Sequence, residues 1–391
     1  MLTTTATSSS GNIASQSQSQ SHPQILLQGK TFDNFINAIK SPKSREGYTT
    51  SLKRYLNHLK LTEVNDLLIN QQYPRLIESQ IIDYIMTLRN DGLAYASIQF
   101  MVAPIMTFYS LNDIVLNRKK ISRYFGEYKR VVKDHAYTVE EINKALQTAD
   151  QRMKLVILLL TSTGQRIGSL SVLTLGSLTR IEDYGIYKVT IYEGTNNEYY
   201  TFTTREFANA YEDYMAYRQR CGEKISFNNE TKKWEPEQTP LIRKQFDVTD
   251  LLQARHPQFM DTNSIRKILG SHLVKCGIRN VEHPTAPKST KRCRKAVALA
   301  NGFRKFTISS FIRAGLRHEI RELLVDHSTQ LDQNYFRPGE EEVLEQYILA
   351  EPYLTMDPSV RLSQENQTLT MDRNKLESRL ERLEQVCKDF M

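Results

Sequence analysis

Between Thr31 and about Phe125, apolar residues recur three and four positions apart in four stretches: TFDNFINAI, REGYTTSLKRYLNHL, ESQIIDYIMTL and YASIQFMVAPIMTFYSL. That is the period of a helix with one buried face, and it predicts a compact bundle of four or five helices. Gly92 separates the last two. Residues 1–30 break the pattern. They are mostly Ser, Thr and Gln, with almost no large apolar side chain before Ile25, and so bury too little to offset their ordering entropy. They read as a disordered tail.

A second region opens at YTVEEINKAL, where Thr138 and Glu141 have capping-box spacing and predict a helix start. Arg152 to Thr163 reads as an apolar helix stopped by Gly164. GIYKVTIYEG (185–194) and EYYTFTT (198–204) are rich in β-branched and aromatic residues. Thr195, Asn196 and Asn197 lie between them, so the pair reads as a β-hairpin. Arg205 to Arg220 returns to helix, and Glu340 to Leu349 predicts another. Residues 222–240 are polar, hold the single tryptophan, Trp234, and read as an exposed loop. A hairpin alone among helices gives a mostly α class with a small antiparallel sheet.

The tail carries a different period. Leu362, Leu369, Leu376, Leu383 and Phe390 recur every seventh residue, with Asn366, Arg373, Leu380 and Cys387 on the companion seam. This predicts a helix, either self-associating as a coiled coil through 362–390 with Asn366 fixing register, or lying singly on its own domain.

Composition narrows the class. Hydrophobics are 40% and charged residues 25%, enough for a packed core. With no run of about 18 apolar residues, no membrane span is expected. The chain starts without a basic and apolar leader, which argues against secretion. Cys221, Cys276, Cys293 and Cys387 lie far apart without CxxC spacing, which fits a reducing cytoplasm.

The formal net charge of +8 is concentrated. Residues 114–133 hold Arg118, Lys119, Lys120, Arg123, Lys129, Arg130 and Lys133 against Glu127 alone. Residues 262–305 hold eleven basic residues, among them Lys291, Arg292 and Lys295, against Glu282 alone. The remainder of the chain is acidic. Two basic blocks in an acidic chain read as two faces of one polyanion site, or as solvated surface.

No Gly-rich phosphate loop, HExxH or GxSxG is present, and no carboxylate cluster has metal-ligand spacing. Phosphoryl chemistry without a metal needs fixed cations and a protein nucleophile. Arginine suits the first role because its planar fork holds two phosphate oxygens. Arg166, in TGQRIGSL, is placed at the start of the helix after Gly164, where a cation opposes the helix dipole. Arg304, in NGFRKF, is placed in the first turn of a helix capped by Asn301. Either one, taken singly, also reads as an arginine bridging a core carboxylate. His327 follows the helix HEIRELLV, and Tyr335 comes eight residues later. A tyrosine oxygen among cations is a competent nucleophile toward phosphorus.

The set TGQRIGSL, hairpin, NGFRKF, DHST and NYFRP resembles the tyrosine recombinase (phage integrase) family, in appearance closest to integrase-like recombinases of archaea and their mobile elements. The resemblance runs from about residue 31 to 356. It implies a helical SAM-like core-binding DNA domain over 31–126, a basic linker over 127–137, an α+β catalytic domain over 138–356 and a helical tail over 357–391. It implies that Arg166 and Arg304 clamp the scissile phosphate of duplex DNA. Tyr335 would then form a 3′-phosphotyrosyl link while His327 assists. The resemblance further implies that no metal, ATP or other cofactor takes part. It also implies a homotetramer acting on two DNA attachment sites, located in the cytoplasm at the nucleoid.

Three positions depart from the family pattern. Asn301 stands where a histidine is usual. The hairpin lysine is missing from the turn at Asn196, leaving Lys188 in the preceding strand as the nearest substitute. Asp326 stands where a glycine is usual. These departures leave open a catalytically impaired DNA-binding relative, and the shared chemistry leaves open a type IB topoisomerase.

Overall fold

The computed structural model describes residues 25–128, 134–279, 297–327, 338–359 and 361–363, with Asn366 and Arg373. These fall into two compact units, which meet in sequence near residue 130.

The first unit is helical: α1 (Lys30–Asn37), α2 (Pro42–Leu59), α3 (Pro74–Asn90), α4 (Tyr95–Leu111) and the short α5 (Arg118–Ser122). Ser41 caps α2 by accepting from the Ser44 amide, and Pro42 occupies the first turn, where its missing N–H costs nothing. The apolar faces meet in a core of Phe35, Leu52, Tyr55, Ile81, Ile85, Ile105 and Phe108, all fully buried. The first half of the first basic block is therefore folded helix. Asn117 caps α5, and Ile121 anchors it in the core. The buried carboxylate of Glu78 fastens this element through the Asn117 amide (2.9 Å) and the Lys120 ammonium (2.9 Å). Those partners hold the Glu78 carboxyl below its ordinary range.

The second unit begins with α6 (Val139–Gln147), whose start is the expected capping box between Thr138 and Glu141. Next comes α7 (Gln151–Thr163), capped by Asp150. Leu155 to Leu160 are all buried, so this helix is apolar all round and runs through the core between α8 (Arg205–Arg220) and α11 (Leu299–Arg313). It stops at Gly164, whose φ of +60° is left-handed. A Cβ at Gly164 would also stand 3.1 Å from Thr307 on α11, so both backbone and packing select glycine.

The expected hairpin is present as β2 (Ile186–Ile191) and β3 (Tyr199–Phe202), paired Ile191 to Tyr199. It does not stand alone. β1 (Leu178–Ile181) adds an antiparallel edge strand, and the order is β1-β2-β3. The 222–240 segment is likewise not a plain loop. It forms a second hairpin of β4 (Ser226–Asn228) and β5 (Lys233–Glu235), with Trp234 half-buried edge-on to Phe227. The remaining helices are α9 (Leu251–Arg255), α10 (Thr262–Lys275), α12 (His318–Leu324) and α13 (Glu340–Leu354). Among the described residues no helix is long and apolar enough to cross a membrane. Of the tail heptads only Leu362, Asn366 and Arg373 lie among the described residues.

A buried ionic triad ties α8 to the segment after β5. Glu223 accepts from Arg218 (2.5 and 3.0 Å) and from Arg243, and all three side chains are at most 2% exposed. Removing the one anion leaves two cations in a dry site, a change that typically costs about 3–5 kcal/mol. Glu223→Ala is therefore expected to lower the unfolding free energy of this unit by that amount in urea titration. A shift below about 1 kcal/mol would show that the triad contributes no stability.

Candidate active site

Arg304 lies in the second turn of α11, not the first. The helix opens at Leu299 behind Ala298, so Asn301 is an exposed residue inside it and caps nothing. The ALAN run favours helix strongly enough to start it ahead of the asparagine. From this position Arg304 is 7% exposed, and its guanidinium donates to the Gly164 carbonyl (2.8 Å) and to the Val325 carbonyl. Among the described residues no carboxylate pairs with it. Burial pushes the guanidinium pKa down, and the nearby charge of Arg166 adds to this.

Arg166 is not at a helix start. It lies in the irregular segment after Gly164, ahead of a single 3-10 turn at Ser169–Ser171, so no helix dipole opposes it. The chain is too rich in Gly and Ser here to propagate a helix. The Arg166 side chain is half-exposed and reaches the turn after α12. There it donates to the Asp326 carboxylate (2.5 Å) and the Asp326 carbonyl (3.0 Å). The two guanidinium groups thus rest on consecutive carbonyls, Val325 and Asp326, with Arg304 also tied to Gly164, two residues before Arg166. Sequences 138 residues apart converge on one turn.

That turn has a defined geometry. The Asp326 amide donates to the Leu323 carbonyl, and the His327 amide donates to the Glu322 carbonyl (2.9 Å). Asp326 has φ +51°. This is the left-handed helix stop in which glycine is favoured at the position Asp326 holds. His327 emerges from it 39% exposed, with Nδ1 2.8 Å from Glu322 Oε2. Burial opposes the charge on Glu322, but His327 and Arg321 outweigh it and hold the carboxyl below its ordinary range.

Two hairpin tyrosines belong to the same cluster. A Cβ on Gly168 would stand 3.8 Å from the Tyr192 hydroxyl. Burial pushes the Tyr192 phenol up, with Arg166 opposing and Asp326 adding. Burial also pushes Tyr199 up, with Asp326 adding and Arg304 and Arg166 opposing. Neither tyrosine is marked in the sequence, because aromatic residues in a strand read as packing.

Lys188 does not join the cluster. Its ammonium binds Glu340 at the start of α13 (2.5 Å) and lies over the Tyr200 ring. Of the proposed DNA contacts, Arg118, Lys119 and Arg123 are exposed, while Lys120 is engaged by Glu78. Lys129, Arg130, Lys291, Arg292, Lys295 and the proposed nucleophile Tyr335 lie outside the described residues.

No protein-family model matches the chain, and no curated protein matches it either. Solved structures do. The Tn1549 transposon integrase in complex with transposon right end DNA has 14% identity over 81% of this chain and 98% of its own, at a TM-score of 0.49. A lambda integrase dimer bound to a core site has 12% identity over 78% and 94%, at 0.48. XerA recombinase has 15% identity over 81% and 96%, at 0.35. These structures are recombinases and integrases.

Proposed function

We propose that the chain is a site-specific DNA recombinase of the tyrosine type, cleaving and rejoining duplex DNA without metal or ATP. The observation that carries this reading is the convergence of Arg304 and Arg166 on the Val325–Asp326 turn. A buried guanidinium that pairs with no carboxylate among the described residues, beside a second guanidinium, is a site suited to an anion. A scissile phosphate fits it. The two forks hold its non-bridging oxygens, and their charge stabilises the five-coordinate transition state. His327 lies one residue further on. Tyr335 attacks phosphorus, the 5′-oxygen leaves, and the 3′-phosphotyrosyl link retains the bond energy needed for rejoining. Four protomers on two attachment sites exchange strands in pairs. The test is cleavage of a pool of nicked duplexes of randomised sequence in EDTA, without nucleotide. Fragments with free 5′-hydroxyl ends and protein-linked 3′ ends are expected. Cleavage that requires added metal contradicts the reading.

One observation favours a second reading, a DNA-binding relative with impaired catalysis: Asp326 already fills the fork of Arg166. The pair is half-exposed, so its strength is that of a surface bridge, about 1 kcal/mol or less. Asp326→Gly relieves the left-handed backbone and frees Arg166. It is expected to raise the single-turnover cleavage rate roughly two- to fivefold, the equivalent of that bridge. A wild type that binds DNA and forms no adduct supports the second reading.

A further inference from the structure

We propose that Glu322 is the positioning residue for His327, fixing which imidazole nitrogen faces the phosphate held by Arg166 and Arg304. The inference rests on the recombinase reading and adds a residue to it. The helix stop after α12 places Glu322 at the third residue from the helix end and His327 two residues past that end. These are the two positions whose side chains this motif brings side by side, usually as an apolar contact. Here the contact is a hydrogen bond between a carboxylate and an imidazole, 2.8 Å from Oε2 to Nδ1.

The carboxylate is itself held. Its other oxygen accepts from Arg321 Nε at 3.2 Å, His318 Nδ1 stands 3.8 Å away, and the side chain is 13% exposed. With Nδ1 tied to Glu322, the orientation and proton position of the ring are set, because the bond at one nitrogen decides the role of the other. Among the described residues Nε2 has no partner. With Nδ1 taken by the carboxylate, Nε2 is the nitrogen left to meet the phosphate. Glu322 thus holds a partly exposed histidine in one orientation beside the Val325–Asp326 turn.

The test uses the full chain and single-turnover cleavage of saturating nicked duplex, with the Kd for DNA measured alongside. Glu322→Ala is expected to slow cleavage by roughly ten- to a hundredfold, a part of the roughly 10²–10⁴-fold that a positioned acid–base group contributes. The Kd should stay within about twofold. Glu322→Gln keeps an acceptor without the charge and is expected to fall between. In a His327→Ala background, Glu322→Ala should have almost no further effect, since its action passes through the ring. Thermal unfolding of each variant separates misfolding from this loss. Cleavage by Glu322→Ala at the wild-type rate overturns the inference, as does the same loss in the His327→Ala background. If the wild type cleaves nothing, the recombinase reading fails, and this inference fails with it.

Discussion

Arg304→Ala should slow DNA strand cleavage by on the order of 10³–10⁵-fold, the range seen when an arginine that stabilises a phosphoryl-transfer transition state is removed. The size follows from the setting. Arg304 is 7% exposed and fixed by two backbone carbonyls, so its charge is aimed before the phosphate arrives and is poorly screened. DNA affinity should change far less, because one phosphate contact among many sets only a small part of it. Arg304→Lys is expected to lose nearly as much as Arg304→Ala. A single ammonium cannot bridge the Gly164 and Val325 carbonyls and still present a fork to phosphate. Single-turnover cleavage with a parallel Kd measurement checks both. An equal loss in Kd and rate would mean that Arg304 only binds DNA.

Legibility in the sequence followed the range of the signal. The capping box at Thr138 and Glu141, the stop at Gly164 and the 205–220 helix could be read because each depends on neighbours within a few residues. β1 and the β4–β5 pair carry no such local signal. With three or four residues each they are too short to show a period, and they are strands only because distant segments pair with them.

The candidate site divides the same way. Arg166, Arg304 and His327 stood out by residue type and motif. The local structure around the two arginines differs from the expected helix starts, because the Ala-rich start of α11 and the Gly- and Ser-containing turn after α7 override the pattern of single residues. The Arg166–Asp326 pair spans 160 residues and has no sequence signature. Glu322 and His327 are five apart, a spacing that faces no helix side, and only the left-handed turn at Asp326 brings them together.

The central claim is that one tyrosine becomes covalently joined to DNA. Tyr335→Phe removes the phenolic oxygen that would form that bond and keeps the aromatic ring, so loss of the adduct should be complete and DNA binding should persist. The direct measurement is to incubate the full chain with nicked duplexes of randomised sequence, digest the covalent complex with trypsin, and locate the nucleotide-bearing peptide by mass spectrometry. The nucleotide is expected on Tyr335 through its 3′-phosphate, with no such peptide from Tyr335→Phe. DNA attached to a different residue, or no adduct from the wild type, would contradict it.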